Sequence, residues 1–158
     1  KYQRIKMRKE YIAIDAVRFY LYGIFPYNEN QDNVLSHIIY EGKIQYALDK
    51  CFPEVDDTIK FGFSKNQLIW CEKSERSMWQ YLIDKKMLFS SDLMDIKRYT
   101  NDGPFTANFP RQSPARAAVW LGYRIVQQYI KKNKSVTLEQ LMSETDAQKI
   151  VQLSEYNP

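Results

Sequence analysis

Residues Tyr11–Phe25 read YIAIDAVRFYLYGIF, and the reading of this run decides the fold. Asp15 and Arg18 are its only charges. Tyr11, Asp15, Arg18 and Tyr22 are spaced four, three and four apart, so on a helix they share one face. The other faces are apolar, carrying Ile12, Ile14, Val17, Phe19, Leu21 and Ile24. The spacing predicts a helix over about Met7–Phe25. A lone buried charge is costly, so its polar stripe must pair, reach water or line a cleft.

Outward from this run the signals stay helical. Pro26–Asn30 reads as a polar turn. A second helix is expected over about Asp32–Phe52, where Val34, Leu35, Ile38, Ile39, Ile44, Ala47 and Leu48 leave little polar face; such a helix is central and buried. Pro53 ends it, and residues 54–63 read as a loop with a short helical or extended piece. Ser64-x-x-Gln67 is a capping box, and Phe63 and Leu68 form a hydrophobic staple. The third helix is expected to run to about Leu88 with its core stripe on Leu68, Cys71, Met78 and Leu82 and with Glu75 inside that stripe. Phe89–Gln112 is the least regular stretch, with a turn at Asn101-Asp102-Gly103-Pro104. Ser113 as N-cap and Pro114 in the first helical position open a fourth helix, ending near Lys132. Gly122 in its interior costs about 1 kcal/mol relative to alanine and marks a close helix contact. Thr137-x-x-Gln140 and Thr145-x-x-Gln148 start two short helices, the last ending near Ser154. The reading is one all-α domain.

Composition agrees. A chain of 158 residues with only five glycines favours long helices around one core. The net charge of +4 resides in residues 1–10, where Lys1, Arg4, Lys6, Arg8 and Lys9 face only Glu10. A nucleic-acid binder spreads positive charge along a face, so that class is excluded; a short basic lead-in is solvated or touches lipid head groups. No apolar run approaches a membrane span and no signal peptide is present. The chain begins at Lys1 within a basic lead-in, and an upstream region is expected. Cys51 and Cys71 fit no metal spacing and read as two buried thiols, with a bridge across a helical hairpin as the alternative.

The inventory also limits the chemistry. His37 is the only histidine, no Ser-His-Asp set or Gly-rich phosphate loop exists, and no cofactor is expected. His37 and Glu41, four apart, could hold a metal only weakly, and two ligands are not a site. Glu41 precedes Gly42, which lets another helix approach. Glu75 on the third helix and Arg116, Trp120, Tyr123 and Arg124 on the fourth complete a set in which four helices offer polar or aromatic groups. Asp15, Arg18, Glu41, Glu75, Arg116, Trp120 and Tyr123 are thus expected around one hollow. Its charge would cancel internally, Arg18 against Glu41 and Asp15, and Arg116 or Arg124 against Glu75. A zincin grips zinc with His-Glu-x-x-His on one helix. Ile14-Asp15-Ala16-Val17-Arg18 has that shape without either imidazole.

Several blocks resemble one known family. They are Glu41-Gly42-Lys43-x-x-Tyr46-x-Leu48-Asp49-x-x-x-Pro53; Ser64-x-x-Gln67-Leu68-x-Trp70 with Glu75, Trp79 and Tyr81; Gly103-Pro104-Phe105; Ser113-Pro114-x-Arg116 with Trp120-x-Gly122, Ile125-Val126 and Tyr129; and the tail from Asp146 to Pro158. In this order they resemble the gliding-motility lipoprotein B family (GldB) of Bacteroidetes over nearly the whole chain. The resemblance implies a periplasm-facing envelope protein, lipid-anchored through an upstream cysteine. It implies partners in the gliding or associated secretion machinery, and distant kinship to gluzincin-type metallopeptidases. By that kinship Glu41 stands at the third zinc ligand, Ile14 and Arg18 at the two histidines and Asp15 at the general base. Val119 and Trp120 stand where related peptidases often carry a transition-state tyrosine. The reading that follows is a non-catalytic domain, resembling the helical part of a zincin, that binds a protein or peptide. Two alternatives stand beside it. One is a zinc peptidase that recruits His37 and Glu41 with upstream ligands. The other is a scaffold with no cleft, its acids and arginines scattered on solvent faces.

Overall fold

The computed structural model describes residues 8–158. Met7, Lys1, Arg4 and Lys6, read above as the lead-in to the first helix, lie outside these residues. Among the described residues there are eight α-helices and no strand: α1 Lys9–Ile24, α2 Val34–Cys51, α3 Asp57–Phe61, α4 Lys65–Asp84, α5 Leu93–Thr100, α6 Ala117–Lys132, α7 Leu138–Ser143 and α8 Ala147–Ser154. The all-α architecture expected from the sequence is the one observed.

The central helix is α2, as its apolar circumference required: Val34, Ile38, Ile44, Ala47 and Leu48 are fully buried. Its main partner is α6, and the two glycines singled out in the sequence meet there. A Cβ on Gly42 would lie 2.3 Å from the carbonyl carbon of Gly122, and a Cβ on Gly122 would lie 1.8 Å from the Ile38 oxygen. Backbone therefore touches backbone, with no side chain between. The main apolar cluster joins α2, α4, α5, α6 and α8. A smaller one, Ile14 and Leu21 with Ile44, Ala47, Leu48 and Met142, fastens α1 to the opposite flank of α2.

Capping follows the sequence in several places. Ser64–Gln67 and Thr137–Gln140 are both complete capping boxes. Five expectations are corrected. The irregular stretch contains α5, started by the Asp92 side chain accepting from Met94 N and held by buried Ile96 and Tyr99. Exposed Leu93 and Met94 obscure its period in the sequence. The fourth long helix starts at Ala117, not Ser113. Ser113 is buried, with its Oγ accepting from Thr106 N, and Thr106 Oγ1 accepts from Ala117 N at 2.9 Å, so a residue eleven positions upstream supplies the cap. The last helix is capped by Asp146, not Thr145, its carboxylate accepting from Lys149 N. α4 also stops at Asp84, and a 3-10 turn, Met87–Phe89, carries Leu88 into the core. Both cysteines are free, and Cys51 is exposed, contrary to the expectation of two buried thiols.

Lys43 is a buried cation that sequence reasoning passed over. It is 5% exposed, and its Nζ donates to the carbonyls of Met142 at 3.2 Å and Glu144 at 2.6 Å, closing the C-terminal end of α7. Unpaired carbonyls at a helix end attract such a donor. Burial pushes the Lys43 ammonium down to about 8, with Glu144 opposing. The unfolded lysine stays protonated to about pH 10, so between about pH 8 and 10 the unfolded chain binds more protons. Stability therefore rises with pH through that window. Relative to Lys43→Met, the natural chain is expected to gain about 2 kcal/mol in urea melts between pH 7 and pH 10. A gap that stays constant with pH would show that Lys43 titrates normally.

Candidate functional site

The polar stripe of α1 does line a cleft. Tyr11, Asp15, Arg18, Phe19 and Tyr22 form one wall, and residues 59–62, at the end of α3, form the other with Asp102 and Arg116; the hollow measures about 280 Å³. A second hollow of about 290 Å³ shares Tyr11, Gly62 and Asp102 with it and continues past Ser64, Gly103, Pro104 and Pro114. Together they form a groove between α1, α3 and the loop of residues 101–116.

The arginines take partners other than those expected. Arg18 Nη2 donates to the Lys60 carbonyl at 2.7 Å and to Gln45 Oε1 at 3.2 Å; Arg116 Nη2 donates to the Phe61 carbonyl at 3.2 Å. Two guanidinium groups thus cover adjacent carbonyls at the end of the five-residue helix α3, whose chain leaves through Gly62 in the left-handed conformation at φ 68°. Such carbonyls have no partner inside the helix. Arg116 itself is left-handed at φ 59°, a strained setting for a residue with a side chain, and its Nε lies 3.0 Å from Asp102 Oδ1. Burial lowers the Arg18 pKa from its usual range, Arg116 lowers it further, and Tyr22 and Glu41 oppose them. Buried donors at Arg18 Nη1 and Gln45 Nε2 have no hydrogen-bond partner among the described residues.

Neither acid pairs with Arg18 as the charge-cancelling scheme required. Glu41 accepts from the Tyr22 hydroxyl at 2.8 Å. Burial and the Glu41 carboxylate raise the Tyr22 pKa. Asp15 is half-buried on the cleft wall and makes no hydrogen bond or ion pair among the described residues. Across the α1–α2 seam Glu41 meets Tyr22 and Gln45 meets Arg18, while Ile14 is buried in the cluster holding Ile44 and Leu48. Glu41 therefore stands about one turn beyond the point between residues 14 and 18 where a third ligand would sit. His37 turns elsewhere, its Nε2 2.6 Å from Asp32 Oδ1 and its ring stacked on Tyr27, so it does not act with Glu41. No group of three or more His, Cys, Asp or Glu placed to hold a metal ion occurs among the described residues.

The remaining site residues form a second cluster. Glu75 Oε1 accepts from Arg124 Nε at 3.1 Å and from the Tyr156 hydroxyl at 2.7 Å; Arg124 also lies over the Trp120 ring at 5.6 Å. Tyr123 Oη accepts from Gln127 Nε2 at 2.7 Å, and burial, then Asp49 and Asp57, raise its pKa. Of the two partners offered for Glu75, Arg124 is the one used. This cluster borders its own hollow of about 290 Å³. Phe61 lines both this hollow and the α1 cleft and packs edge-on against Tyr123 at 5.2 Å. The expected single centre is thus two, divided by α3. Asp15, Arg18, Glu41 and Glu75 are all half-buried, which differs from the scattered solvent-facing arrangement of the cleft-free scaffold. Sequence reasoning missed Gln45, Asp102 and Tyr156. Gln45 follows Glu41 by one turn and was legible; Asp102 was visible only as a turn residue.

The family model described as gliding motility protein GldB matches residues 1–158. The chain belongs to the GldB family. No curated protein and no solved structure matches it. Membership in GldB implies a gliding-motility-associated lipoprotein and associates it with the cell envelope. Among the described residues no helix is long and apolar enough to cross a membrane.

Proposed function

We propose that this GldB chain is a non-catalytic, metallopeptidase-like domain of a lipid-anchored, periplasm-facing protein. It binds a protein or peptide of the gliding or associated secretion machinery in the groove between α1, α3 and the 101–116 loop. The observation that carries this reading is the pair of adjoining hollows joined through Tyr11, Gly62 and Asp102. An elongated groove fits an extended segment of chain better than a compact metabolite. Asp15, which has no partner among the described residues, offers an acceptor to such a segment. Residues from the family-like blocks, among them Ser64, Gly103, Pro104 and Arg116, line it.

Kinship to metallopeptidases is supported by polar residues facing across the α1–α2 seam. The absence of catalysis is supported by what occupies that seam. Ile14 is committed to the core, and Arg18 holds a backbone carbonyl. The test has two arms. In gliding cells lacking their own copy, a full-length protein with Asp15→Leu is expected to be expressed normally yet fail to restore spreading, whereas Leu93→Asp on the exposed face of α5 restores it. Spreading restored by Asp15→Leu would move function out of the groove. Peptide hydrolysis by the purified chain with added zinc would establish the zinc peptidase instead.

A further inference from the structure

α1 packs chiefly on α2 and α3, at the edge of the domain, and no other described element covers its outer face. Ile12 is 67% exposed, Phe19 71%, Tyr20 67% and Ile24 47%. Ala13, Ala16 and Gly23 are exposed beside them. At about 100° per residue these seven positions form one continuous arc of about 140°, about 18 Å long. Within the described part of α1, Lys9 is the only charged residue in that arc, and Glu10 and Asp15 lie at its two borders. Single exposed apolar side chains are ordinary; a whole helical face of them is a contact surface.

We propose that this face rests on an anionic lipid surface, oriented by the basic residues that precede it in the sequence. Charge selects this occupant. Residues 1–10 hold five cations against one acid, and the apolar arc holds no acid. An interfacial helix combines an apolar face with lysine and arginine, each cation contributing about 1 kcal/mol near anionic head groups. Area argues in the same direction. One helical arc offers a few hundred Å², less than the roughly 800 Å² per partner of a standard protein interface. The surface is also convex, a ridge suited to entering head groups rather than to receiving a ligand. Membership in a lipoprotein family places such a surface where it can act. Phe19 borders both this face and the groove, but Ile12, Tyr20 and Ile24 lie outside the groove, and the inference does not need a ligand there.

The test is vesicle flotation of the full 158-residue chain without lipid modification, so that the protein surface alone is read. The chain is expected to float with phosphatidylethanolamine–phosphatidylglycerol vesicles and roughly tenfold less with phosphatidylcholine. The double variant Ile12→Asp/Phe19→Asp is expected to lose flotation at least about tenfold with an unchanged melting temperature, because both side chains are exposed. Leu93→Asp/Met94→Asp, on the exposed face of α5, is expected to float like the natural chain. No flotation, or equal flotation of the Ile12/Phe19 variant, overturns the proposal. A dimer in sedimentation that this variant dissociates also overturns it, by assigning the face to a second copy.

Discussion

Gly122→Ala is expected to destabilise the domain by about 3 kcal/mol or more, although alanine is the better helix former by about 1 kcal/mol. The added methyl would stand 1.8 Å from the Ile38 carbonyl oxygen. A side-chain neighbour could rotate away; a carbonyl in the middle of α2 cannot without moving the helix. α2 and α6 carry the main apolar cluster between them, so separating them loosens that cluster. Gly42→Ala is expected to behave similarly, meeting Gly122 backbone at 2.3 Å. Gly23→Ala supplies the control. Nothing lies within 4 Å of its Cβ position, on a helix, so that substitution is expected to be neutral or to stabilise by up to about 1 kcal/mol. Denaturant unfolding of the three variants checks the result. Equal midpoints for Gly23→Ala and Gly122→Ala would show that α2 and α6 do not touch through backbone.

The second large effect is expected at Arg18. Arg18→Ala removes the donor to the Lys60 carbonyl and to Gln45, which is 1% exposed. A buried acceptor left unpaired costs about 1–3 kcal/mol. Part of this is returned, because the guanidinium no longer has to be buried beside Arg116. A net loss of about 2 kcal/mol is expected, against about 0.5 kcal/mol or less for Arg76→Ala on the exposed face of α4. Arg18→Lys is expected to recover only part of it, since one ammonium does not match a planar fork bonded at two places. The loss has a different origin from the one the sequence implied. There the cost was to fall on Glu41 and Asp15 left without a cation. In the structure Glu41 keeps Tyr22, and the exposed loss is a backbone carbonyl of α3.

This difference marks what the sequence can carry. Helix period and capping chemistry are local, so the runs around Tyr11–Phe25, Ser64–Gln67 and Thr137–Gln140 are readable from one strand of text. The two glycines were readable as close approaches because an interior helical glycine has a cost that packing must offset, but not as partners of one another. Pairing of charges was not readable. Arg18, Arg116 and Lys43 all bond backbone carbonyls, and a carbonyl is present at every residue and marks none of them. Ser113-Pro114 misled for a related reason. Its local form is a helix start, yet Thr106 arrives from a distance to cap Ala117, and the serine is spent underneath. The division into two hollows follows from α3, a five-residue helix in a stretch read only as a loop with a short piece.

Beyond residue 10 the formal charges cancel, eighteen against eighteen. Lys43 is enclosed without an ion pair, and Arg18 is largely enclosed with carbonyl and amide partners. Acids are drawn inward as well, Asp15, Glu41 and Glu75 among them, so thirteen cations and eleven acids of the body are exposed and the formal excess of the chain lies in its leading ten residues. A particle with its excess charge at one end aligns in an external field before any contact is made, presenting that basic end to a negative plane. Added salt would weaken that alignment first and the apolar contact last.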